Sequence, residues 1–167
     1  CNSRRHKLRT VFAGVTCIQP GSVYDPISAR VAEDLGFEAG MFAGSVASLT
    51  VLGAPDLIVL TLSEFADQAH RICRAGELPL IVDADHGYGN ALSVRRTVEE
   101  LETAGVACLT IEDTLLPTRF GKTATEFLSI DEGIGKMKAA LDARQDEQMI
   151  VLGRTSAVGQ NGGDDGI

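Results

Sequence analysis

The sequence is poor in aromatic side chains and in positive charge. Its 167 residues include no tryptophan and two tyrosines, and 15 Lys and Arg stand against 23 Asp and Glu, a formal net charge of −8. Because nucleic-acid phosphates need a surface rich in Lys and Arg, we expect no nucleic-acid partner. The sequence also lacks a run of about 18 apolar residues, so it predicts no transmembrane helix and no membrane partner.

Closely spaced cysteine pairs are also missing. The four cysteines are Cys1, Cys17, Cys73 and Cys108, and none forms the C-x-x-C spacing that is typical of zinc and redox motifs. Three of them lie in apolar segments, so we expect buried, reduced thiols in a cytoplasmic protein.

Apolar runs alternate with helical patterns along the chain. Five runs predict strands, at residues 11–18, 39–44, 78–82, 106–111 and 149–152. Helices are predicted between them, at 26–35, behind the capping box Thr61-x-x-Glu64, after the capping residue Asn90, and behind a second capping box, Ser129-x-x-Glu132. This order is typical of an α/β fold with a parallel sheet. No linker divides the chain, so residues 1–167 are predicted to form one domain, with a Gly/Asn/Asp-rich loop at 159–167.

Charged residues follow the last three predicted strands. Asp83 and Asp85 come after the third, Glu112 and Asp113 after the fourth, and Arg154 after the fifth. Ligands of parallel α/β folds bind at the carboxyl ends of the strands, so this cluster lies where a site is expected. Two carboxylates at i and i+2 of a strand point to one face and repel each other there. Oxygen ligands of this kind suit Mg²⁺ or Mn²⁺.

Each of these residues also has a structural interpretation. Asp83 and Asp85 could cap loop N–H groups, and Arg154 could form an internal ion pair rather than bind an anionic substrate. His86 could be a packed histidine or an acid/base catalyst. Arg119 could be a solvated surface charge. Ser45 could cap a helix or bind a substrate oxygen.

Several stretches resemble the isocitrate lyase/phosphoenolpyruvate mutase superfamily, from about residue 11 to residue 155. They are residues 24–30, 53–56, 83–90 (Asp-Ala-Asp-His-Gly-Tyr-Gly-Asn), 110–113 and 153–155. Within the superfamily, residues 44–48, 83–90 and 112–117 are most similar to the bacterial oxaloacetate decarboxylases.

The resemblance implies a (β/α)8 TIM-type barrel, a Mg²⁺ ion (with Mn²⁺ as a possible substitute) and a homotetramer. By its motifs, Asp83 matches the residue that binds the metal directly. Asp56, Asp85 and Glu112 match acids that hold the metal's water molecules, and Ser45 and Arg154 match residues that bind the α-keto-carboxylate end of a small dicarboxylate. The implied reaction converts oxaloacetate to pyruvate and CO₂ through a metal-stabilised enolate, with Asp83, Arg154 and His86 as the catalytic candidates.

The chain departs from some relatives in one loop and in length. Residues 117–121 (Pro-Thr-Arg-Phe-Gly) contain no cysteine, whereas the superfamily's lyases carry a catalytic cysteine there. A phosphonopyruvate mutase or hydrolase reaction, or one of the 2-methylisocitrate lyase type, is the alternative activity. Five strands occupy these 167 residues, so eight strands at the same spacing would need roughly 267 residues, which is the size of a complete barrel. We therefore expect the chain to cover about the first five strands of a barrel. If the chain is not an enzyme, the alternative is an incomplete barrel fragment without catalytic activity.

Overall fold

The computed structural model describes residues 2–158 of the chain. The helices in this range are α1 (Asn2–Phe12), α2 (Pro26–Asp34), α3 (Gly44–Ala47), α4 (Leu62–Ala75), α5 (Ala91–Ala104) and α6 (Ile130–Ala143), and a π-helical turn (Ser48–Leu52) follows α3. The strands are β1 (Gly21–Ser22), β2 (Gly40–Phe42), β3 (Leu80–Asp83), β4 (Cys108–Glu112) and β5 (Ile150–Arg154). The loop predicted at 159–167 lies outside the described residues.

The five strands form one parallel sheet in the order β1-β2-β3-β4-β5. Parallel neighbours need crossover connections, which the helices provide, so the predicted α/β class is confirmed. The register sets Asp83 of β3 beside Thr110 of β4, and Glu112 of β4 beside Arg154 of β5. The polar ends of three adjacent strands therefore meet at one edge of the sheet.

Strands β3 and β4 are largely buried on both faces, as their continuous apolar runs predict, whereas β5 is only partly buried. Along β3, Leu80 and Val82 point into a large cluster shared with the helices, whereas Ile81 points into a smaller cluster on the opposite face. This alternation is the two-residue period of a strand.

Helix α1 closes the second face of the sheet. Its Leu8 is fully buried and packs in the smaller cluster with Ile81 and Cys108. Arg5 of the same helix donates to the carbonyls of Glu102 and Val106. These bonds satisfy main-chain oxygens that precede β4, so α1 covers the amino ends of the strands.

The strand predicted at 11–18 is wrong. Helix α1 continues to Phe12, Val15 is fully exposed, and the first strand is β1, at Gly21–Ser22. Most of residues 11–18 are exposed, and Ile18 alone among them packs against the smaller cluster, because the contacts of Arg5 and Leu8 hold the preceding segment as a helix. Tertiary contacts override β propensity here.

The other predicted elements are confirmed to within a few residues. Thr61 caps α4, with both hydrogen bonds of the capping box present. The Asn90 side chain accepts from the N–H groups of Leu92 and Ser93 at the start of α5. Ser129 accepts from the N–H of Glu132 at the start of α6. Each cap satisfies N–H groups that the first helical turn leaves unpaired.

The cysteine prediction is correct in part. Cys73 and Cys108 are buried free thiols, and burial raises the pKa of Cys73 to about 11 and that of Cys108 to about 12. Cys17 is exposed, which corrects the expectation for that residue, because it lies in the misassigned segment. Cys1 lies outside the described residues. None of the helices within residues 2–158 is long and apolar enough to span a bilayer.

Candidate functional site

The carboxyl edge of the sheet opens into a cavity of about 500 Å³. All of the predicted site residues except His86 line it. The full lining is Ser45, Asp56, Leu57, Ile58, Asp83, Asp85, Glu112, Leu116, Pro117, Thr118 and Arg154. The fold thus brings together residues that are more than 100 positions apart in the sequence.

Asp83 is the most firmly held carboxylate of the cavity. Its Oδ1 accepts from the Thr110 hydroxyl and from the main-chain N–H of Asp85, both at 3.1 Å. Its Oδ2 lies 2.9 Å from Arg154 Nη1. Only 15% of its side chain is exposed. Because both of its oxygens accept from donors, the carboxylate of Asp83 is held in place at the lining of the cavity.

Asp85 reaches the same cavity by a turn, not by strand alternation. Strand β3 ends at Asp83, and Asp85 has a left-handed backbone with φ of 48°. This conformation is rare outside glycine, although Asp tolerates it better than most residues. The expectation that both carboxylates project from one strand is therefore corrected. A Cβ at Gly44 would lie 2.8 Å from Asp85 Oδ1, so the glycine leaves room for this carboxylate.

The cavity concentrates negative charge. Burial first, and then the neighbouring carboxylates of Asp83, Asp56 and Glu112, together raise the pKa of Asp85 to about 7 against the opposing charge of Arg154. Four carboxylates thus share the cavity with one guanidinium. A carboxyl group that titrates near neutral pH is a common feature of functional sites.

Glu112 and Arg154 lie side by side across β4 and β5. Glu112 accepts from the Thr114 hydroxyl at 3.1 Å, and its other close charge is Arg154 Nε at 3.9 Å. The Arg154 side chain is 49% exposed, so part of its guanidinium faces the open cavity. This geometry leaves N–H donors available to an incoming anion.

Ser45 and Asp56 enter the cavity from the segments after β2. Ser45 is an exposed residue in the first turn of α3, and the cap position before it, Ala43, has no side-chain cap bond. Ser45 therefore does not cap α3. Asp56 is exposed, and Ile58, two residues later, has a φ of 57° that is unusual for a β-branched residue. Such backbone strain is concentrated at functional sites.

Three residues singled out in the sequence lie elsewhere. His86 is half-buried, its Nδ1 is buried without a protein partner, and its pKa is lowered by burial and then by Lys136. Arg119 is exposed and lies 3.9 Å from Glu126. Asp113 does not line the cavity, and its main-chain N–H donates to the Arg154 carbonyl.

Sequence reasoning missed the residues that support the acids. Nothing in the sequence pattern distinguishes Thr110 or Thr114 from other threonines in strands and loops, yet their hydroxyls donate to Asp83 and Glu112. Lys136 is 3% exposed on α6, and its ammonium donates to the main-chain oxygen of His86. No local sequence feature of α6 indicates that this lysine is buried. Tyr88, with φ of 60° and a buried hydroxyl without a protein partner, is a further residue near the acids that sequence reasoning did not single out.

The donor chemistry of the cavity fits a divalent cation. Every acidic group is an oxygen ligand, as Mg²⁺ and Mn²⁺ prefer, and a cation would offset the repulsion that raises the pKa of Asp85. Within residues 2–158, no group of three or more His, Cys, Asp or Glu side chains is arranged to hold a metal directly. Mg²⁺ commonly takes only one or two carboxylates as direct ligands and keeps several waters, which is compatible with this set of acids.

The sequence is similar to proteins named oxaloacetate decarboxylase. The one from Bradyrhizobium diazoefficiens is 62% identical over 165 residues, which are 99% of this chain and 57% of that protein. The chain thus spans a little over half the length of this relative.

Solved structures share the fold. Oxaloacetate acetylhydrolase in complex with 3,3-difluorooxalacetate matches with a TM-score of 0.86 and 33% identity, over 96% of this chain and 56% of that one. Phosphonopyruvate hydrolase in complex with oxalate and Mg²⁺ matches with a TM-score of 0.82 and 29% identity, over 93% and 53%. The parallel sheet of this chain is therefore part of the TIM-type barrel predicted from the resemblance.

A family profile described as phosphoenolpyruvate phosphomutase matches residues 14–166. Sequence, fold and the placement of the acidic strand ends agree with this match. The chain belongs to the phosphoenolpyruvate phosphomutase family, within the PEP mutase/isocitrate lyase superfamily.

Proposed function

We propose that this chain carries the metal-binding and substrate-binding residues of a Mg²⁺-dependent oxaloacetate decarboxylase. The observation that carries the proposal is the single cavity that holds Ser45, Asp56, Asp83, Asp85, Glu112 and Arg154. The relative named oxaloacetate decarboxylase supports the choice of substrate. The substrate class is a small α-keto dicarboxylate, and the products are pyruvate and CO₂.

Asp83 is proposed as the direct metal ligand. Donors from Thr110 and Asp85 orient its carboxylate, as hydrogen bonds commonly orient metal ligands. Asp85, Asp56 and Glu112 are proposed to hold the water molecules of the metal. When bound, Mg²⁺ (or Mn²⁺) would supply a Lewis acid that stabilises the negative charge developing on the ketone oxygen as CO₂ leaves.

Ser45 and Arg154 are proposed to bind the keto-carboxylate end of the substrate. A guanidinium can bind a carboxylate through two parallel N–H bonds, which fixes its orientation. The Ser45 hydroxyl, in the helix α3 that follows β2, offers a second donor at the lining of the same cavity. The scissile bond joins the methylene carbon to the second carboxylate, and its electron pair moves toward the ketone.

His86 is proposed as the acid/base residue that handles the proton taken up by the methylene carbon. Burial, and then the charge of Lys136, lower the pKa of its ring. It follows Asp85 directly in the chain, although it does not line the cavity. A His86→Gln variant that keeps full turnover would remove it from the mechanism.

A phosphonopyruvate reaction is the second candidate, because a phosphonopyruvate hydrolase shares the fold. The absence of cysteine from residues 117–121 speaks against cleavage of the isocitrate or 2-methylisocitrate type. We further propose that residues 1–167 form a single domain, the amino-terminal part of the barrel, in a cytoplasmic homotetramer. The buried free thiols of Cys73 and Cys108 are compatible with a reducing compartment.

The test is oxaloacetate loss catalysed by the intact protein, first with Mg²⁺ and then with EDTA. The slow reaction of oxaloacetate with Mg²⁺ alone is the background, and phosphonopyruvate is assayed in parallel. We expect saturable, EDTA-sensitive turnover of oxaloacetate well above background. Turnover of phosphonopyruvate instead would replace the proposed substrate, and no turnover of either would favour a non-catalytic barrel fragment.

Asp83→Ala is the decisive variant. We expect it to abolish the Mg²⁺-dependent reaction, because no other carboxylate in the cavity is held by three donors. Asp67→Ala, which removes an exposed carboxylate of α4, is the matched control and should behave like the unmodified protein. Full activity of Asp83→Ala would overturn the proposal.

A further inference from the structure

Lys136 is a buried cation on the outer helix α6. It is 3% exposed, and its ammonium donates to the main-chain oxygen of His86, 50 residues earlier in the chain. Burying a lysine is costly unless the charge is well satisfied. The charged groups that face it are Glu132 on its own helix and Glu112 at the end of β4. No residue of α6 lines the acidic cavity, so Lys136 does not act there directly.

The carbonyl that Lys136 holds belongs to the turn that carries Asp85. Three successive main-chain oxygens of this turn are each bound by a donor from a different element. The Asp85 oxygen accepts from the N–H of Glu112 at 2.8 Å, the His86 oxygen accepts from Lys136, and the Gly87 oxygen lies 3.0 Å from the Thr97 hydroxyl.

This arrangement has a specific consequence for Asp85. Its left-handed backbone is strained and persists only when surrounding contacts hold it. Of the three donors, the Glu112 N–H is main chain and the Thr97 hydroxyl is neutral, so Lys136 is the one charged donor. Charge-assisted hydrogen bonds are about twice as strong as neutral ones.

We propose that Lys136 is a positioning residue of the acidic cavity: its ammonium holds the His86 carbonyl and thereby the left-handed turn that presents the Asp85 carboxylate. The inference rests on the proposed function, since it assigns Lys136 to the metal side of that site. Lys136 acts through Asp85 and touches neither metal nor substrate.

The test measures metal affinity without turnover. Mn²⁺ binding to the intact protein is followed by electron paramagnetic resonance, and Mg²⁺ binding by calorimetry, in the absence of substrate. Lys136→Met removes the ammonium and keeps the aliphatic volume. Lys138→Met, on the exposed face of the same helix, is the matched control. We expect Lys136→Met to weaken metal binding about 10-fold to 100-fold, the range for residues that orient metal ligands, and Lys138→Met to leave it unchanged.

A double-mutant cycle separates positioning from general support of the fold. In an Asp85→Asn background, we expect Lys136→Met to have no further effect on Mn²⁺ affinity, because the group through which Lys136 acts is gone. Equal effects in both backgrounds would overturn the proposal. If Lys136→Met does not fold, Lys136→Gln serves in the same cycle; its neutral amide removes the charge, and an unchanged Mn²⁺ affinity would likewise overturn the proposal.

The two proposals fail in different ways. Unmodified protein that binds Mn²⁺ but leaves oxaloacetate untouched would overturn the decarboxylase assignment and leave the Lys136 result valid. Active protein in which Lys136→Met binds Mn²⁺ like Lys138→Met would overturn the positioning role alone.

Discussion

Arg154 Nη1 lies 2.9 Å from Asp83 Oδ2, and this ion pair connects two strands that are not neighbours in the sheet. Asp83 ends β3 and Arg154 ends β5, with β4 between them. Glu112, at the end of β4, lies 3.9 Å from the same guanidinium. One side chain thus links three strand ends, so the proposed metal and substrate residues are electrostatically coupled.

Replacement of Arg154 by lysine is expected to impair substrate binding. The ammonium keeps the charge but loses the planar fork that binds a carboxylate through two bonds. We expect the KM for oxaloacetate to rise at least about 10-fold, as measured by steady-state kinetics at saturating Mg²⁺. Arg119→Lys, outside the cavity, is the control. An unchanged KM in Arg154→Lys would show that another group binds the carboxylate.

The Thr110 hydroxyl is expected to matter for metal affinity. It donates to Asp83 Oδ1 at 3.1 Å, and Thr110→Val removes the donor while keeping the shape. We expect Mg²⁺ affinity to fall about 10-fold, measured by calorimetry. Thr50→Val, whose hydroxyl bonds only to the carbonyls of its own helix, is the control. Equal losses in both variants would contradict an orienting role for Thr110.

The raised pKa of Asp85 predicts how stability depends on pH. Burial, reinforced by Asp83, Asp56 and Glu112, raises this pKa from 3.8 to about 7. Between these values the folded protein binds a proton that the unfolded chain releases, so this group's contribution to stability falls as pH rises through the window. Well above pH 7 both the folded and the unfolded chain have released this proton, so the contribution of Asp85 to stability no longer changes with pH.

Asp85→Asn is expected to remove this group's contribution to the fall of stability with rising pH. In EDTA, we expect the variant to equal the unmodified protein near pH 4 and to exceed its free energy of unfolding at pH 8 by about 1–2 kcal/mol, a value reduced for the solvent that reaches the side chain. Urea titrations from pH 4 to pH 8 measure this. Asp67→Asn, an exposed site, should show no such difference. If the free energies of unfolding of Asp85→Asn and the unmodified protein differed by the same amount at every pH, the pH dependence would not come from Asp85.

Arg5 is expected to be important for folding rather than for chemistry. It is 4% exposed, donates to two main-chain oxygens and lies 2.9 Å from Asp146 Oδ2. We expect Arg5→Met to lower the free energy of unfolding by about 3 kcal/mol, because the carbonyl of buried Val106 loses this donor and Asp146 loses its ion pair. Lys7→Met, on the exposed face of α1, should change it by less than about 0.5 kcal/mol. Similar unfolding midpoints for both would contradict this role.

Local signals in the sequence were sufficient for most of the framework. The caps at Thr61, Asn90 and Ser129 locate three helices, because a side-chain oxygen satisfies the first N–H groups wherever the chain goes next. Apolar runs locate β3, β4 and β5, and the charged residues at their ends indicate the edge where the candidate site lies. These features depend on neighbours in the chain, so the sequence alone determined them.

Only the tertiary structure decided the rest. Residues 11–18 have strand-like composition, yet contacts of Arg5 and Leu8 with distant segments hold their first part as a helix. The left-handed turn at Asp85 and the burial of Lys136 have no local signal either, because each depends on donors or acceptors brought in from other elements. The spacing of charged residues after the strands predicted that Asp83, Asp85, Glu112 and Arg154 meet at one edge, and the resemblance added Asp56 and Ser45. Long-range hydrogen bonds and packing decided how these residues are held.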